Sequence, residues 1–197
     1  KGEALESLSH VDTVVFDKTG TLTEGRPRLT DLQVTDDDQD AALRLAAAVE
    51  ASSEHPLGTA IVAAAREHGL DLPTVEAFQA VPGFGVSAQV EGQQVLIGAF
   101  RYLEREKIAV GELDKTADDY ATDGKTPVFL AVDGVVRAVL AIADPLQTAA
   151  ASRVAALQQR GMQVAMIPGD SHKTAQAIAR QAGIAQVHAQ TLPDGKA

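Results

Sequence analysis

The sequence predicts an α/β chain in two parts: a parallel-sheet domain interrupted by an inserted α+β domain built on an antiparallel sheet. Three observations lead there. A short apolar strand, Val11 to Phe16, opens the chain and delivers Asp17 at its C-terminal end, where the sites of open α/β sheets lie. The chain closes on a β-α-β-α alternation, the mark of parallel strands joined by crossover helices. Between these runs a stretch of consecutive β segments separated by glycine turns, the pattern of antiparallel hairpins.

Each element follows from local pattern. Gly2 to Ser9 suits a short helix, and Thr23-Glu-Gly-Arg-Pro27 is a turn-rich exit from the first domain. Leu29 to Thr35 alternates as a strand. Asp36-Asp37-Asp38 places negative charge before a helix that starts at Gln39, with Ala42, Leu45 and Val49 on one face. Ser52 to Gly58 breaks that helix. Pro56 suits the first turn of the next one, which puts His55 at its cap and carries the helix to about His68. Val75–Val81, Val86–Val90 and Gln94–Ile97 read as antiparallel strands turned by Pro82-Gly-Phe-Gly85 and Glu91-Gly92. Phe100–Lys107 and Glu112–Thr122 read as helices, and Pro127–Val132 and Val135–Ala143 as strands about an Asp133-Gly134 turn. Leu146, Ala150, Val154 and Leu157 share a helical face that ends near Gly161. Gln163–Ile167 is a strand, a helix runs to Ala182, and Val187–Ala189 is a last short strand. The first and last parts, 1–26 and 127–197, form a Rossmann-like sheet, and 27–126 is the insert.

Composition narrows the function. The 197 residues carry a net charge of −10, which argues against nucleic acid and anionic membrane as direct partners. No apolar run approaches the ~20 residues that span a bilayer, so the chain is expected to be soluble, and we read it as a monomer. The absence of cysteine removes disulfides and thiolate metal sites. Gly83-Phe-Gly-Val-Ser-Ala88 matches a dinucleotide fingerprint by letter, but strand pattern follows it where a helix is required. Gly124-Lys125-Thr126 ends like a phosphate-binding loop, but Asp119 stands where that loop needs glycine.

The chemistry concentrates in Asp17-Lys18-Thr19-Gly20-Thr21-Leu22-Thr23. A carboxylate can attack phosphorus and carry the phosphoryl group as an acyl phosphate. Lys18 is suited to offset the incoming charge, the Thr21 hydroxyl to donate to phosphate oxygens, and Gly20 to let the backbone approach closely. A second constellation is Ser53-Glu54-His55-Pro56-Leu57. A helix N-terminus disfavours a cation, leaving a neutral ring able to stack on a purine, while Glu54 can accept from an exocyclic amine. For a lone histidine before proline, capping alone is the plainer role.

The seven-residue run resembles the phosphorylation motif of P-type ATPases, cation pumps built on the haloacid dehalogenase fold. Ser-Glu-His-Pro-Leu is similar to the histidine-proline signature of their heavy-metal branch. The resemblance runs along essentially the whole chain. It implies Asp17 as nucleophile, Lys18, Thr21 and Lys196 around the phosphate, and Asp170 positioning Lys18 or Mg²⁺. It also implies Mg²⁺ on Asp17 and the Thr19 carbonyl, and an ATP or ADP pocket of Glu54, His55, Gly83, Gly85 and Gly98. The insert would hold the nucleotide so that its γ-phosphate reaches Asp17. Related phosphatases carry an acid/base aspartate two residues after the nucleophile. Here that position is Thr19, which implies a phosphoenzyme not rapidly hydrolysed in place.

The chain departs from the family at Ala99 (usually Asn), Gln147 (Arg or Lys), Pro168 (Thr) and Gly195 (Asp), and it stops before the family's Gly-Asp-Gly-x-Asn-Asp segment. It therefore reads as the catalytic fragment of a longer membrane pump, with its phosphorylation domain incomplete and little stable phosphorylation of its own. The fragment would lie at the cytoplasmic face of the membrane against the parent's transmembrane and actuator domains. Copper(I) is favoured over zinc as the exported ion. Two alternatives stay open: a non-catalytic nucleotide-binding module with a disabled phosphorylation site, and a soluble phosphatase with a cap domain.

Overall fold

The computed structural model describes residues 11–167 and 172–187. The expected helix at Gly2–Ser9, and the sites Asp170 and Lys196 with their neighbours Pro168 and Gly195, lie outside the described residues. The chain divides into two compact units. One comprises the residues up to Gly25 and from Asp144 onward, and the other is Arg26–Ala143.

The first unit is a parallel sheet of β1 (Thr13–Asp17), β8 (Gln163–Ile167) and β9 (Gln186–Val187) in the order β1-β8-β9. Register pairs Thr13 with Gln163 and Asp17 with Ile167. The connection into β8 is the helix α5 (Ala150–Gln159), and the one out of it is α6 (His172–Ala182). The core places Leu22, Val154, Val164, Met166, Ala175 and Ile178 together. Two expectations shift here. The opening strand begins at Thr13, and its alternate face is open: Val11 and Val15 are 39% and 48% exposed. The helix expected from Leu146 starts only at Ala150, because the preceding residues are engaged elsewhere. Leu146 bridges to Thr23, and the Gln147 N–H donates to the Leu22 carbonyl at 2.9 Å.

The second unit is a six-stranded antiparallel sheet in the order β2-β7-β6-β5-β4-β3. Its strands are β2 (Arg28–Val34), β3 (Val75–Val81), β4 (Gly85–Val90), β5 (Gln93–Gly98), β6 (Thr126–Val132) and β7 (Val135–Ala143). Both faces are covered. Val95 and Ile97 of β5 and Val128, Leu130 and Val132 of β6 join a core with α1 (Gln39–Glu50) and α2 (Pro56–Glu67). The alternate residues Leu96, Phe129 and Ala131 join another with α3 (Phe100–Arg105) and α4 (Leu113–Thr122). Helix α3 stops two residues earlier than the pattern suggests. Lys107 takes φ 56°, and the Ile108 N–H reaches back to the Leu103 carbonyl at 2.8 Å, a Schellman-type end.

This sheet moves the domain boundary. The sequence reading returned the chain to the parallel domain at residue 127, yet β6 and β7 are central strands of the antiparallel sheet. Their hairpin turns at Asp133 and Gly134, with φ 49° and 78°, the left-handed pair of a type I′ turn. β6 then pairs with β5, Val95 against Val132, and β7 pairs with β2, Arg28 against Ala143. The return falls after Ala143.

Candidate functional site

Asp17 ends β1 with an exposed side chain whose Oδ1 accepts the Lys18 N–H at 3.0 Å. The chain then makes a wide loop. Thr19 is extended (φ −77°, ψ 125°) and Gly20 is left-handed at φ 73°. Glycine relieves the cost that an L side chain meets there. The Thr23 N–H closes the loop on the Lys18 carbonyl at 3.2 Å.

Thr23 is wholly buried. Its Oγ1 accepts the Gly20 N–H at 3.2 Å and donates to Asp144 Oδ2 at 2.6 Å, with the Lys18 carbonyl 3.2 Å away. Charge-assisted bonds of this kind are the strong ones. The loop is thus tied at its far end to the start of the chain's second passage through the unit. Gln147 completes the tie, its Nε2 donating to the Thr23 carbonyl at 3.2 Å.

Asp17, Thr19 and Thr21 come together as exposed groups on this loop. Lys18 differs: it is only 7% exposed, so most of its side chain is packed within the unit. Ile167, the last residue of β8, stands in register with Asp17, so the two parallel strands end level with each other. Asp17 and the Thr19 carbonyl are hard oxygen donors of the kind Mg²⁺ takes. No cluster of three or more His, Cys, Asp or Glu adds to them among the described residues. The pair fits an ion that keeps most of its shell as water and nucleotide oxygen.

The residues that the resemblance assigns to a nucleotide lie in the second unit. His55 caps α2, its Nδ1 accepting the Leu57 N–H at 3.2 Å, so that nitrogen bears no proton and the ring edge is fixed. His55 and Glu54 are both exposed. Ser53 Oγ accepts the His55 N–H at 3.2 Å.

The carboxylate that stands out here is one the sequence reading passed over. Glu50, at the end of α1, is 8% exposed, and its Oε2 is buried without a hydrogen-bond partner. Burial pushes its carboxyl up, and a hydrogen bond from the Ser53 side chain opposes this. Oε2 lies 2.3 Å from where a Cβ on Gly58 would stand, so the glycine in Pro56-Leu57-Gly58 makes room for it. The signal was available. Leu43, Ala46, Ala47 and Glu50 share the buried face of one helix, and a carboxylate that continues an apolar face requires a reason.

The three glycines have two different causes. Gly85 and Gly98 are register partners on β4 and β5. A Cβ on Gly85 would stand 2.1 Å from the Ile97 carbonyl oxygen, and one on Gly98 would stand 2.4 Å from that of Phe84. Two backbones meet there, so packing by itself requires glycine at both positions, apart from any room for a nucleotide that the sequence suggested. Gly83 differs. It is exposed at φ 76°, and the nearest atom to a built Cβ is Arg101 Nη2 at 3.8 Å. The Arg101 and Arg105 guanidiniums flank the adjoining Phe84 ring at 5.6 and 5.2 Å.

The haloacid dehalogenase-like hydrolase profile matches residues 11–197. The chain is 49% identical over 197 residues to a probable copper-exporting P-type ATPase V of Mycobacterium tuberculosis, covering 99% of this chain and 26% of that one. It is 45% identical to copper-transporting ATPase 2 of Rhizobium meliloti, covering all of this chain and 24% of the relative. Among solved structures it resembles a zinc-transporting PIB-type ATPase in its E2.Pi state. The TM-score is 0.69 at 36% identity, over 98% of this chain and 31% of that one. The chain thus spans about a quarter of the length of the curated relatives it matches.

Proposed function

The chain belongs to the haloacid dehalogenase-like hydrolases, and we propose that it is the ATP-binding, aspartyl-phosphate-forming unit of a heavy-metal P-type ATPase. The observation that carries this reading is the Asp17 loop. An exposed carboxylate sits at a parallel strand's C-terminal end on a loop held by buried Thr23. The likeness to copper pumps over the whole chain supports it.

In this reading a carboxylate oxygen of Asp17 attacks the γ-phosphorus of ATP. The new O–P bond forms as the bond to the β–γ bridging oxygen breaks, and ADP leaves with that electron pair. Thr21 donates to the transferring oxygens. Asp17 and the Thr19 carbonyl would hold Mg²⁺, which would supply neutralisation of the charge that develops on those oxygens. Thr19 has no carboxyl with which to activate water, so the phosphoryl group stays on Asp17 until another step of the cycle releases it. In the second unit the His55 ring stacks on adenine, Gly83 lets the nucleotide approach, and the orphan oxygen of Glu50 accepts from the exocyclic amine. Glu50 takes the role the sequence assigned to Glu54, because its unpaired acceptor is already out of water. The rest of the pump, its membrane helices and actuator domain, would place this unit at the cytoplasmic face, with copper the exported ion.

Calorimetric titration of ATP and ADP into the whole chain tests the reading. Micromolar-to-millimolar binding, about −4 to −8 kcal/mol, similar for the two nucleotides and weakened in His55→Gln, is expected. Failure to bind either nucleotide would overturn it.

A further inference from the structure

Gln147 makes contacts that no neighbouring residue shares. Its backbone N–H donates to the Leu22 carbonyl at 2.9 Å, and its Nε2 donates to the Thr23 carbonyl at 3.2 Å. Its Oε1 accepts from Arg153 Nη1, on α5, at 3.2 Å. A primary amide donates and accepts from one planar group. A lysine or arginine at this position could reach the Thr23 carbonyl but would repel Arg153. The two carbonyls that Gln147 holds belong to the last residues of the Asp17 loop. Thr23 in turn holds the Gly20 N–H through its hydroxyl. The path from α5 to Gly20 in the Asp17 loop is therefore a chain of hydrogen bonds: Arg153 to Gln147, Gln147 to the Thr23 carbonyl, and the Gly20 N–H to the Thr23 hydroxyl. The Glu24 N–H adds a bond to the Pro145 carbonyl at 2.8 Å, so the segment that carries Gln147 is itself anchored beside the loop.

We infer that Gln147 is a positioning residue for phosphoryl transfer, fixing the shape of the Asp17 loop and oriented for that task by Arg153. The inference rests on Asp17 as the phosphoryl acceptor. Gln147 touches neither acceptor nor phosphate. Its effect passes through the Thr23 carbonyl and the loop closure that Thr23 makes. Misplacing a reacting group by a small distance is costly, which is how a residue so removed can matter.

Two readouts on the whole chain test this: amide hydrogen exchange, and binding of beryllium trifluoride with Mg²⁺, a phosphoryl analogue, followed by ¹⁹F resonance with Asp17→Asn as the blank. In Gln147→Leu, exchange at Gly20 and Thr23 should quicken roughly three- to tenfold, the worth of one net hydrogen bond. Exchange at Val164 to Met166 in β8 and the melting temperature should stay in place, and analogue binding should weaken by a similar factor. Gln147→Lys, which keeps the donor to Thr23, should restore most of the protection. Arg153→Met should give a smaller change of the same kind. Unchanged exchange and binding in Gln147→Leu, with the wild-type chain binding the analogue, would overturn the role of Gln147 and leave Asp17 as acceptor. Quickened exchange throughout β8 with a lower melting temperature would make Gln147 a residue of stability, which also overturns it. Absence of Asp17-dependent analogue binding in the wild-type chain would refute the acceptor role, and this inference with it.

Discussion

Glu50→Gln is the substitution on which stability and function should move in opposite directions. The carboxylate is buried at the end of α1, and Oε2 has no partner. A buried acceptor left unpaired costs about 1–3 kcal/mol, and more when charged. Burial holds the folded-state carboxyl above its ordinary value. Between the unfolded and folded values the native state therefore binds more protons than the unfolded chain, and stability falls as pH rises through that window. Above the folded value the loss is complete. Glutamine removes the charge and keeps the shape. At pH 8 the variant should be the more stable by about 1–3 kcal/mol, seen as a higher urea midpoint with unchanged slope. Near pH 4 the difference should shrink, because the wild-type carboxyl is then protonated too. The same change removes the charged acceptor proposed for the adenine amine, a bond worth about 1.5–3 kcal/mol, so ATP affinity should fall roughly tenfold or more. Wild-type ATP affinity in Glu50→Gln would refute the assignment of Glu50 to the nucleotide. A variant less stable at pH 8 would refute the claim that the orphan oxygen is a cost to the fold.

Four further expectations follow from the geometry. Gly85→Ala and Gly98→Ala force a Cβ to within 2.1 and 2.4 Å of backbone carbonyl oxygens, and should each cost about 3 kcal/mol or more in urea unfolding. Gly83→Ala should cost only the ~1–2 kcal/mol of a left-handed L residue while weakening ATP binding. Thr23→Val keeps the volume but removes the hydroxyl bonds to the Gly20 N–H and to Asp144 Oδ2, and should lower stability by about 2 kcal/mol, with Thr23→Ser nearly neutral. Lys125→Met removes the larger of the two hydrogen bonds, from Lys125 and Thr30, that hold the Asp31 carboxyl below its usual value. That contribution is present above the ordinary carboxylate value and is lost as pH falls through the folded one. The partly exposed pair is worth under ~1 kcal/mol, so wild type and variant should differ in urea midpoint at pH 7 and converge as pH falls below the ordinary carboxylate range.

The elements that periodicity predicts well are those whose local pattern and tertiary role agree. The hairpin strands of the second unit, the His55 cap and the strand that ends at Asp17 all carry their signals within a few residues. The domain boundary did not, because β6 is apolar at successive positions, the usual mark of a strand buried on both faces. That composition fits a parallel-sheet strand, but here it reflects an antiparallel strand between two helical layers. Only its pairing with β5 distinguishes the two, and pairing is not local. The helix after Asp144 starts late for a related reason. Leu146 and Gln147 read as helical by spacing, yet their backbone is bonded to Thr23 and Leu22, more than 120 positions earlier in the chain.

The candidate site divides along the same line. Residue type announced Asp17 and His55, because carboxylate and imidazole chemistry is visible in the letters. What those residues depend on was hidden in contact: Thr23 bound to Asp144, Gln147 bound to both passages of the chain, and a glutamate completing an apolar helix face. The glycines show how far letters go. Gly83, Gly85 and Gly98 are one residue type with one apparent meaning, but two of them are required where strand backbones meet, and only Gly83 remains open to a ligand. A glycine marks a place where a side chain is excluded, and what excludes it is known only when the neighbouring atom is named. At Gly58 that atom is Glu50 Oε2. The close approach that makes glycine necessary in α2 therefore also locates the unpaired carboxylate on which the nucleotide reading depends.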